Sequence, residues 1–293
     1  MTVSWMRKLP NGKSISALGF GCSSLWAKPE FDERRARDVL EVALSNGITH
    51  FDTSPSYGHG LAEERLGRFL QAHKPAELVI STKVGNNLVD GQMVRGFTRD
   101  LMERSFEGSL KRLGVDRVDI LYLHGPSPTE LASDDVRRFF SDKKAAGRIS
   151  YAGAESRLPD VIARIGETDI DAVMPHFNVG HQSIGPDLTR LHAMGKFIIS
   201  GTVLAQMKFD LRTFVPTNRN SLWYLLRMAK NDPLFWWRGP ALARNLRQQG
   251  RTPREAAIAF VATHPAVTSG LFGSSNAEHV AQNAITGQQV TGS

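Results

Sequence analysis

Four residues in the sequence have side chains suited to acid–base chemistry and lie at or just after the ends of short apolar runs. They are Asp52, Tyr57, Lys83 and His124. Tyrosine, with a reference pKa of about 10, is a weak acid near neutral pH, but a nearby ammonium group favours its charged form and lowers that pKa. Lys83 can supply the ammonium and Asp52 can hold it in place. His124 can donate a hydrogen bond that orients a carbonyl group, so the set predicts a proton donor for a carbonyl compound.

Each residue also has an ordinary structural interpretation. Asp52 could cap a loop, and Tyr57 could be a surface aromatic residue that precedes a glycine. Lys83 could extend from a strand end toward solvent, and His124 could be a hydrogen-bonded core histidine. The fold decides between these interpretations. The four residues can form one site only if the strands that carry them end at the same place.

Short runs of β-branched and apolar residues alternate with segments of helical periodicity, which is typical of repeated βα units. The predicted strands are 16–22, 49–54, 77–84, 118–125, 149–156, 171–178, 196–203 and 267–274. The predicted helices are 32–47, 61–72, 98–113, 130–146, 158–166, 187–194, 253–264 and 276–286. Eight of each favour a (β/α)8 TIM barrel over an open doubly wound sheet, and the first βα turn, GFGCSS, lacks the third glycine of a dinucleotide-binding turn. In such a barrel the four polar residues lie at the C-terminal mouth.

One segment, 205–252, is too long for an ordinary connection between the seventh strand and its helix. It contains SLWYLLRMAKNDPLFWWRGPALARNL, which predicts two helices and holds three of the five tryptophans. The segment could cap the barrel or form part of a pocket wall. No linker or repeat interrupts the βα order, so we expect residues 1–293 to form a single domain.

The composition is that of a soluble globular protein. Of the 293 residues, 41% are hydrophobic and 22% are charged, which excludes disordered, collagen-like and coiled-coil chains. No apolar run is long enough to span a bilayer and the N-terminus lacks a signal-peptide pattern, so we expect a cytoplasmic protein without a membrane partner. The single cysteine, Cys22, cannot form an internal disulfide. The net charge of +7 is spread among acidic residues, which argues against a nucleic-acid partner and mildly favours an anionic ligand.

Several motifs resemble the aldo-keto reductase superfamily, and the resemblance covers nearly the whole chain. They are FDTSPSYGHGLAEERLG at 51–67, STKVG at 81–85, LYLHGP at 121–126, AAGRISYAGAES at 145–156 and TPREAAIAFVATHPAVTSGLFGSSNAEHVAQN at 252–283. The resemblance implies that the four polar residues are a catalytic tetrad with Tyr57 as general acid. It also implies that NADP(H) or NAD(H), bound in the barrel mouth without a Rossmann fold, exchanges hydride with an aldehyde or ketone substrate.

The resemblance further implies a set of cofactor-binding residues. They are Gly21, Cys22, Glu155, Ser156, Met174, Gly201, Thr202, Leu204, Gly273, Ser274, Ser275, His279 and Asn283. Several depart from the family pattern: Glu155 and Ser156 stand where Ser-Asn usually grips the carboxamide, Met174 replaces a glutamine, and Gly201 replaces a stacking aromatic residue. The last βα turn carries no Lys or Arg, and we therefore expect weak discrimination between NADP(H) and NAD(H).

Candidate substrate-pocket residues are Trp26, His59, His176 and Trp223, which weakly favour an apolar or aromatic carbonyl compound. A redox-neutral lyase, isomerase or dehydratase that uses the same acid–base residues is the main alternative, because Glu155 places a carboxylate beside the tyrosine. A non-catalytic regulatory subunit is a further alternative. A metal-dependent hydrolase that uses His50 and Asp52 lacks additional histidine ligands.

Overall fold

The computed structural model describes residues 4–73, 77–204, 215–216, 222, 225–226, 228–229, 234–248 and 250–292. The strands are β1 (Met6–Lys8), β2 (Ser14–Ser16), β3 (Leu18–Gly21), β4 (His50–Asp52), β5 (Val79–Val84), β6 (Asn86–Val89), β7 (Gln92–Arg95), β8 (Val118–His124), β9 (Ile149–Ser156), β10 (Ala172–Pro175), β11 (Phe197–Ser200) and β12 (Val267–Phe272). Eight of them close a parallel barrel in the order β10-β11-β12-β3-β4-β5-β8-β9. All eight match predicted strands, and the predicted (β/α)8 barrel is confirmed.

The helices cover the outside of the barrel. They are α1 (Glu33–Ser45), α2 (Leu61–His73), α3 (Arg99–Leu113), α4 (Pro128–Leu131), α5 (Asp134–Ala145), α6 (Pro159–Arg164), α7 (Gly185–Ala193), α8 (Phe235–Arg247), α9 (Pro253–Ala262) and α10 (Ala277–Thr291). Helix α1 buries Ala36, Val39, Leu40 and Ala43. These positions have the period of 3.6 that gives an amphipathic helix one apolar face. No described helix combines the length and the apolar character needed to cross a bilayer.

Two predicted helices differ clearly from the structure. The predicted helix 130–146 is two helices, because Ser127 and Ser133 each accept a hydrogen bond from a backbone N–H three residues later and so start separate helices. Helix α10 runs to Thr291, five residues beyond its predicted end. Of the two helices predicted within 205–252, α8 lies in the described residues.

Two β-hairpins outside the barrel were not predicted, although each contains a typical turn signal. Hairpin β6–β7 turns at Asp90 and Gly91, whose φ angles of +50° and +75° are those favoured in two-residue hairpin loops. Hairpin β1–β2 turns through Asn11 and Gly12. The Asp-Gly and Asn-Gly pairs could have identified both.

Hairpin β1–β2 closes the N-terminal end of the barrel. Leu9 and Ile15 are buried in a cluster with residues of the barrel interior, among them Val79 and Ile120. Lys13 forms an ion pair with Asp119 at 2.8 Å. This end of the barrel is therefore packed with side chains, and the polar strand ends lie at the opposite mouth.

Candidate active site

A buried ion pair joins the ends of strands β4 and β5. Lys83 Nζ lies 2.5 Å from Asp52 Oδ2 and donates to the carbonyl oxygen of Thr53 at 2.8 Å. Lys83 is 1% exposed and Asp52 is 3% exposed. The parallel register pairs Asp52 with Ser81, whose Oγ donates to Asp52 Oδ1 at 2.7 Å. Ser81 is a site residue that sequence reasoning missed, although its position two residues before Lys83 places both on the barrel interior.

The charge of Asp52 keeps the buried lysine protonated. Burial alone lowers the pKa of Lys83, but the negative charge of Asp52 and the nearby Tyr57 outweigh burial, and the pKa is raised above its usual value. Burial raises the pKa of Asp52, and Lys83 and Ser81 oppose that increase. We treat the pair as charged, because each partner provides the other's main counter-charge in a site with little access to water.

Tyr57 lies in the loop between β4 and α2, beside this ion pair. Lys83 Nζ is 5.2 Å from the centroid of the Tyr57 ring, and the Tyr57 and His124 rings are 6.0 Å apart at 81°. The next residue, Gly58, has φ of +63°, and a Cβ atom there would lie 1.9 Å from the carbonyl oxygen of Ala27. A side chain cannot be accommodated, so Gly58 allows the loop to pack against Ala27 and fixes the Tyr57 backbone.

The sequence predicts that Lys83 lowers the pKa of Tyr57, but in the structure the pKa of Tyr57 is raised. Burial is the largest effect and raises the pKa of Tyr57 above 10; Lys83 lowers it in part, and the charges of Asp52 and Glu155 raise it further. The sequence identifies the neighbouring ammonium but not the extent of burial, which is the larger effect. Tyr57 therefore keeps its proton at neutral pH.

His124 ends strand β8 as a neutral imidazole. Burial is the main cause that lowers its pKa to about 4, and the charge of Lys83 lowers it further. Its Nδ1 lies 3.3 Å from Ser54 Oγ. If the Ser54 hydroxyl donates to Nδ1, the Nε2 atom carries the hydrogen and can donate to a ligand. Ser54, which was not predicted as a site residue, is thus placed where its hydroxyl can favour that tautomer.

Glu155 lies next to His124, because the β8–β9 register pairs the two residues. Its Oε2 is 3.9 Å from His124 Nε2 and its Oε1 is 3.5 Å from His176 Nε2. His176 also contacts Arg157, whose Nε lies 3.1 Å from the same Nε2 atom. Burial favours a raised pKa for Glu155, but the neighbouring imidazoles of His176 and His124 and the charge of Lys83 outweigh burial, and the pKa is lowered. The mouth therefore contains a second ionised carboxylate besides Asp52.

The Aldo/keto reductase family model matches residues 17–288 of the chain. This chain belongs to the aldo/keto reductase family. It is 35% identical over 189 residues to D-threo-aldose 1-dehydrogenase of a Pseudomonas species, an alignment that covers 56% of this chain and 57% of that protein. It is 28% identical over 272 residues to L-glyceraldehyde 3-phosphate reductase of Escherichia coli K12, covering 84% of this chain and 77% of that protein.

The chain spans about half the length of the first curated relatives that it matches. Among solved structures, aldo-keto reductase AKR11C1 from Bacillus halodurans, in its holo form, is similar with a TM-score of 0.77 at 21% identity, and the likeness covers 99% of this chain and 95% of that one. At this level of identity the likeness supports the barrel fold.

The aldo/keto reductase barrel brings the ends of β3 and β12 into close contact. A Cβ atom at Gly273 would lie 3.2 Å from the carbonyl oxygen of Gly21. The side chain of Cys22 is fully buried, and its backbone N–H donates to the carbonyl oxygen of Asp52 at 2.8 Å. Burial raises the pKa of the Cys22 thiol well above its usual value, and the charge of Asp52 adds to the effect. Cys22 is therefore a packing residue in this structure. A ligand bound between the ends of β3 and β12 would contact the backbone of Gly21 and Gly273 rather than the thiol.

The start of helix α10 is only partly available to a phosphate group. Asn276 caps the helix, and its Oδ1 accepts from the N–H groups of Glu278 at 2.8 Å and His279 at 3.4 Å. The backbone N–H of Asn276 itself donates to Ser274 Oγ at 3.1 Å. Ser274 and Ser275 are half-buried, and His279 is exposed. A phosphate at this turn would meet serine hydroxyls and a few remaining N–H groups.

One buried acceptor in helix α10 lacks a partner. Asn283 is 1% exposed, and its Oδ1 accepts no hydrogen bond within the described part of the chain. Buried polar atoms are nearly always satisfied, so an unpaired acceptor indicates a missing donor. An amino group such as that of adenine has the required chemistry. This residue therefore fits the adenine end of a dinucleotide cofactor.

The other predicted cofactor residues bond or pack mainly with the protein itself. Ser156 Oγ accepts from the backbone of Leu158 at 3.1 Å, and Thr202 Oγ1 accepts from Asn178 Nδ2 at 2.9 Å. Met174 is 3% exposed, and a Cβ atom at Gly201 would lie 3.3 Å from Met174 Cγ. Met174 thus fills the space beside Gly201. Leu204 is half-buried and packs against the core beside Val179.

The predicted pocket residues are not all at the mouth. Trp26 belongs to the core: it is 1% exposed, and its Nε1 donates to the carbonyl oxygen of Ala36 at 3.1 Å, so its indole is not available to a substrate. His59 is exposed and lines a surface groove with the β6–β7 turn and helix α3. Of the three pocket residues that the structure describes, His176 joins the region of Tyr57, Lys83 and His124, through Glu155. Trp223 lies outside the described residues.

His50, which motivated the metal-site alternative, is fully buried and engaged at both ring nitrogens. Its Nδ1 is 3.3 Å from Ser269 Oγ and its Nε2 is 3.2 Å from Ser81 Oγ. Burial, with a smaller effect from Lys83, lowers its pKa to about 3. His50 therefore acts as a neutral link between strands β4, β5 and β12.

Proposed function

We propose that this protein is a nicotinamide-dependent oxidoreductase that interconverts an aldehyde or ketone and the corresponding alcohol, with Tyr57 as the general acid. The observation that carries the proposal is the placement of the Tyr57 ring beside the buried Lys83–Asp52 ion pair and the neutral His124. The names of the two relatives described above, a dehydrogenase and a reductase, also support an oxidoreductase. No finding favours the redox-neutral alternative.

The tetrad can bind and protonate a carbonyl oxygen. His124 Nε2–H and the Tyr57 hydroxyl donate to that oxygen and polarise the bond. When bound at the mouth, a nicotinamide cofactor would supply or accept the hydride at the carbonyl carbon. As negative charge develops on the oxygen, Tyr57 transfers its proton, and the ammonium of Lys83 stabilises the tyrosinate that remains. Asp52 keeps Lys83 charged and positioned throughout.

NADP(H) and NAD(H) are both candidate cofactors. Asn283 provides an unpaired acceptor for the adenine amino group, and Ser274 and Ser275 provide hydroxyl groups for the adenosine ribose or its phosphate. Backbone groups at Gly21 and Gly273 would border the remaining part of the ligand. The described region of the last βα turn contains no lysine or arginine between Gly273 and Asn283.

The decisive variant is Tyr57→Phe, and Tyr122→Phe is its matched control. Both rings flank Lys83, at 5.2 and 5.9 Å from Nζ, and the Tyr122 hydroxyl has no hydrogen-bond partner within the described residues. We expect Tyr57→Phe to lower kcat for carbonyl reduction about 10²- to 10⁴-fold, because the general acid is lost. Tyr122→Phe should retain activity, since it removes a hydroxyl that donates to nothing described.

The assay follows NADPH or NADH absorbance with an aldehyde panel, and cofactor binding is measured separately by quenching of tryptophan fluorescence. Tyr57→Phe should bind cofactor as the wild type does, because the ring is retained. If Tyr57→Phe kept more than about a tenth of wild-type kcat where chemistry limits the rate, Tyr57 would not be the general acid.

A further inference from the structure

A chain of hydrogen bonds runs through the barrel interior and ends at Asp52. Ser269 Oγ lies 3.3 Å from His50 Nδ1, and His50 Nε2 lies 3.2 Å from Ser81 Oγ. Ser81 Oγ in turn donates at 2.7 Å to Asp52 Oδ1, the carboxylate oxygen that does not meet Lys83. Ser269, His50 and Ser81 are fully buried. The chain therefore connects strands β12, β4 and β5 to the carboxylate that holds Lys83.

The directions of these hydrogen bonds follow from what each group can donate. An ionised carboxylate only accepts, so the single hydroxyl hydrogen of Ser81 is used by Asp52. Ser81 Oγ can then only accept from His50, which requires a hydrogen on His50 Nε2. Because burial lowers the pKa of His50 and keeps the ring neutral, its Nδ1 carries no hydrogen and accepts from the Ser269 hydroxyl. Every donor in the chain therefore points toward Asp52.

The barrel interior leaves room for an imidazole at this position and holds it on three sides. Gly19 on β3 adjoins the ring, and a Cβ atom there would lie 2.8 Å from His50 Nδ1 and 2.9 Å from Leu271 Cδ2. Carbon atoms in a packed core do not approach their neighbours this closely, so a larger residue at position 19 would displace the ring. Gly19, together with Ser81 and Ser269, thus fixes the orientation of the imidazole.

The far end of the chain shows that it orients Asp52 and does not conduct protons. Ser269 is fully buried, and among the described residues its hydroxyl has no hydrogen-bond partner other than His50. A proton that entered the chain at Asp52 would have no exit to water. A hydrogen bond donated to a carboxylate instead favours its ionised form, and aligned donors strengthen one another where water is scarce.

We propose that His50 is a positioning residue that acts through Ser81 to fix the ionised carboxylate of Asp52. The carboxylate in turn holds the ammonium of Lys83 beside Tyr57, so a break in the chain weakens proton donation. His50 acts through other side chains and contacts neither substrate nor cofactor. This inference rests on the proposed oxidoreductase function.

The first test compares two substitutions of His50. His50→Gln keeps an N–H donor that can reach Ser81, whereas His50→Leu fills the space with apolar atoms. We expect His50→Leu to lower kcat for aldehyde reduction about tenfold or more, because the Ser81 hydroxyl loses the partner that orients it. His50→Gln should recover most of that loss and stay within about threefold of the wild type. KM and cofactor affinity, the latter measured by fluorescence, should change little in both variants.

Ser269→Ala tests the far end of the chain, and Ser105→Ala is its matched control. Both serines are fully buried, but the Ser105 hydroxyl has no hydrogen-bond partner within the described residues. Ser269→Ala should lower kcat, though less than His50→Leu does, because Nε2 of His50 can still donate to Ser81. Ser105→Ala should leave kcat unchanged.

A second test does not depend on turnover. Carboxyl ¹³C NMR reports the pH at which Asp52 takes up a proton, and the Asp52→Asn variant assigns the signal. Loss of an oriented donor disfavours the ionised form, so Asp52 should be protonated at a higher pH in His50→Leu than in the wild type or His50→Gln. The other titratable groups near Asp52 are the same in all three proteins: Lys83, Tyr57, Glu155, Cys22 and Tyr122.

Two outcomes would overturn the role of His50. The first is an unchanged kcat in His50→Leu, or in Ser269→Ala if His50→Leu does not fold. The second is an equal loss of kcat in His50→Gln and His50→Leu with no change in the protonation of Asp52, which would make His50 a packing residue. A wild type that binds neither cofactor would instead refute the proposed function. The fluorescence titration alone detects that result, and the carboxyl titration still decides whether His50 acts on Asp52.

Discussion

Removing the charge of Asp52 from the Asp52–Lys83 ion pair should make the stability of the protein rise with pH. The substitution Asp52→Asn keeps the shape of the side chain and its contact with Ser81 but removes the charge that balances Lys83. Lys83 is 1% exposed, so its ammonium would be left buried without a counter-charge. Breaking a buried pair in this way costs about 3 to 5 kcal/mol, and we expect that loss at pH 7.

The sign of the pH effect follows from the Lys83 pKa. In the wild type the pKa of Lys83 is raised, because Asp52 outweighs burial, so its contribution to stability is full below the unfolded pKa of about 10.4 and is lost only above it. In Asp52→Asn burial dominates and the folded pKa falls below 10.4. The unfolded state then binds more protons, and stability rises with pH up to about pH 10, by at most about 1.4 kcal/mol per pH unit.

The assay is urea unfolding of the wild type, Asp52→Asn, Lys83→Met and the double variant, at pH 7 and pH 9.5. The double variant should be less destabilised than the sum of the single variants by about 2 kcal/mol or more, since it leaves no unpaired charge. Additivity within about 0.5 kcal/mol, or equal pH slopes for Asp52→Asn and the wild type, would show that the two side chains do not form a coupled buried pair.

Two further predictions concern the cofactor and the Tyr57 loop. Asn276 accepts from two N–H groups in the first turn of α10, and no Lys or Arg lies nearby in sequence. The affinities for NADPH and NADH, measured by fluorescence titration, should therefore agree within about tenfold, equivalent to 1.4 kcal/mol. A preference for NADPH above about a hundredfold would require an unidentified basic residue. Gly58→Ala should lower both the melting temperature and kcat, because its Cβ would clash with Ala27. Gly91→Ala, with a similar positive φ but nothing within 4 Å, is the control, and equal effects in the two variants would refute the clash as the cause.

The barrel and the placement of Asp52, Tyr57, Lys83 and His124 at one mouth could be predicted, because both depend on local patterns. Each barrel strand is a short apolar run followed by a helix of period 3.6, and in a parallel barrel the polar residue that ends a run lies at one mouth. Asp52, Lys83 and His124 satisfy this rule. The register then determines neighbours, so Ser81 beside Asp52 and Glu155 beside His124 could have been inferred from strand alignment.

Other features depend on packing that a linear pattern does not contain. Trp26 resembles a pocket residue in sequence, but the helix that follows it supplies a carbonyl acceptor at Ala36 and encloses the indole. The pKa of Tyr57 is raised because burial exceeds the effect of Lys83. The sequence identifies the charged neighbour, whereas burial depends on the combined position of many distant residues.

The electrostatics of the mouth set the acidity of Tyr57. Tyr57 is close to one cation, Lys83, and to two carboxylates, Asp52 and Glu155, both of which raise its pKa. Asp52 also forms an ion pair with Lys83, so part of its effect on Tyr57 is offset by the charge that it keeps in place. Proton donation by Tyr57 would therefore depend on the Asp52–Lys83 pair as a unit, because Lys83 without Asp52 would lose the counter-charge that keeps it protonated in a buried position.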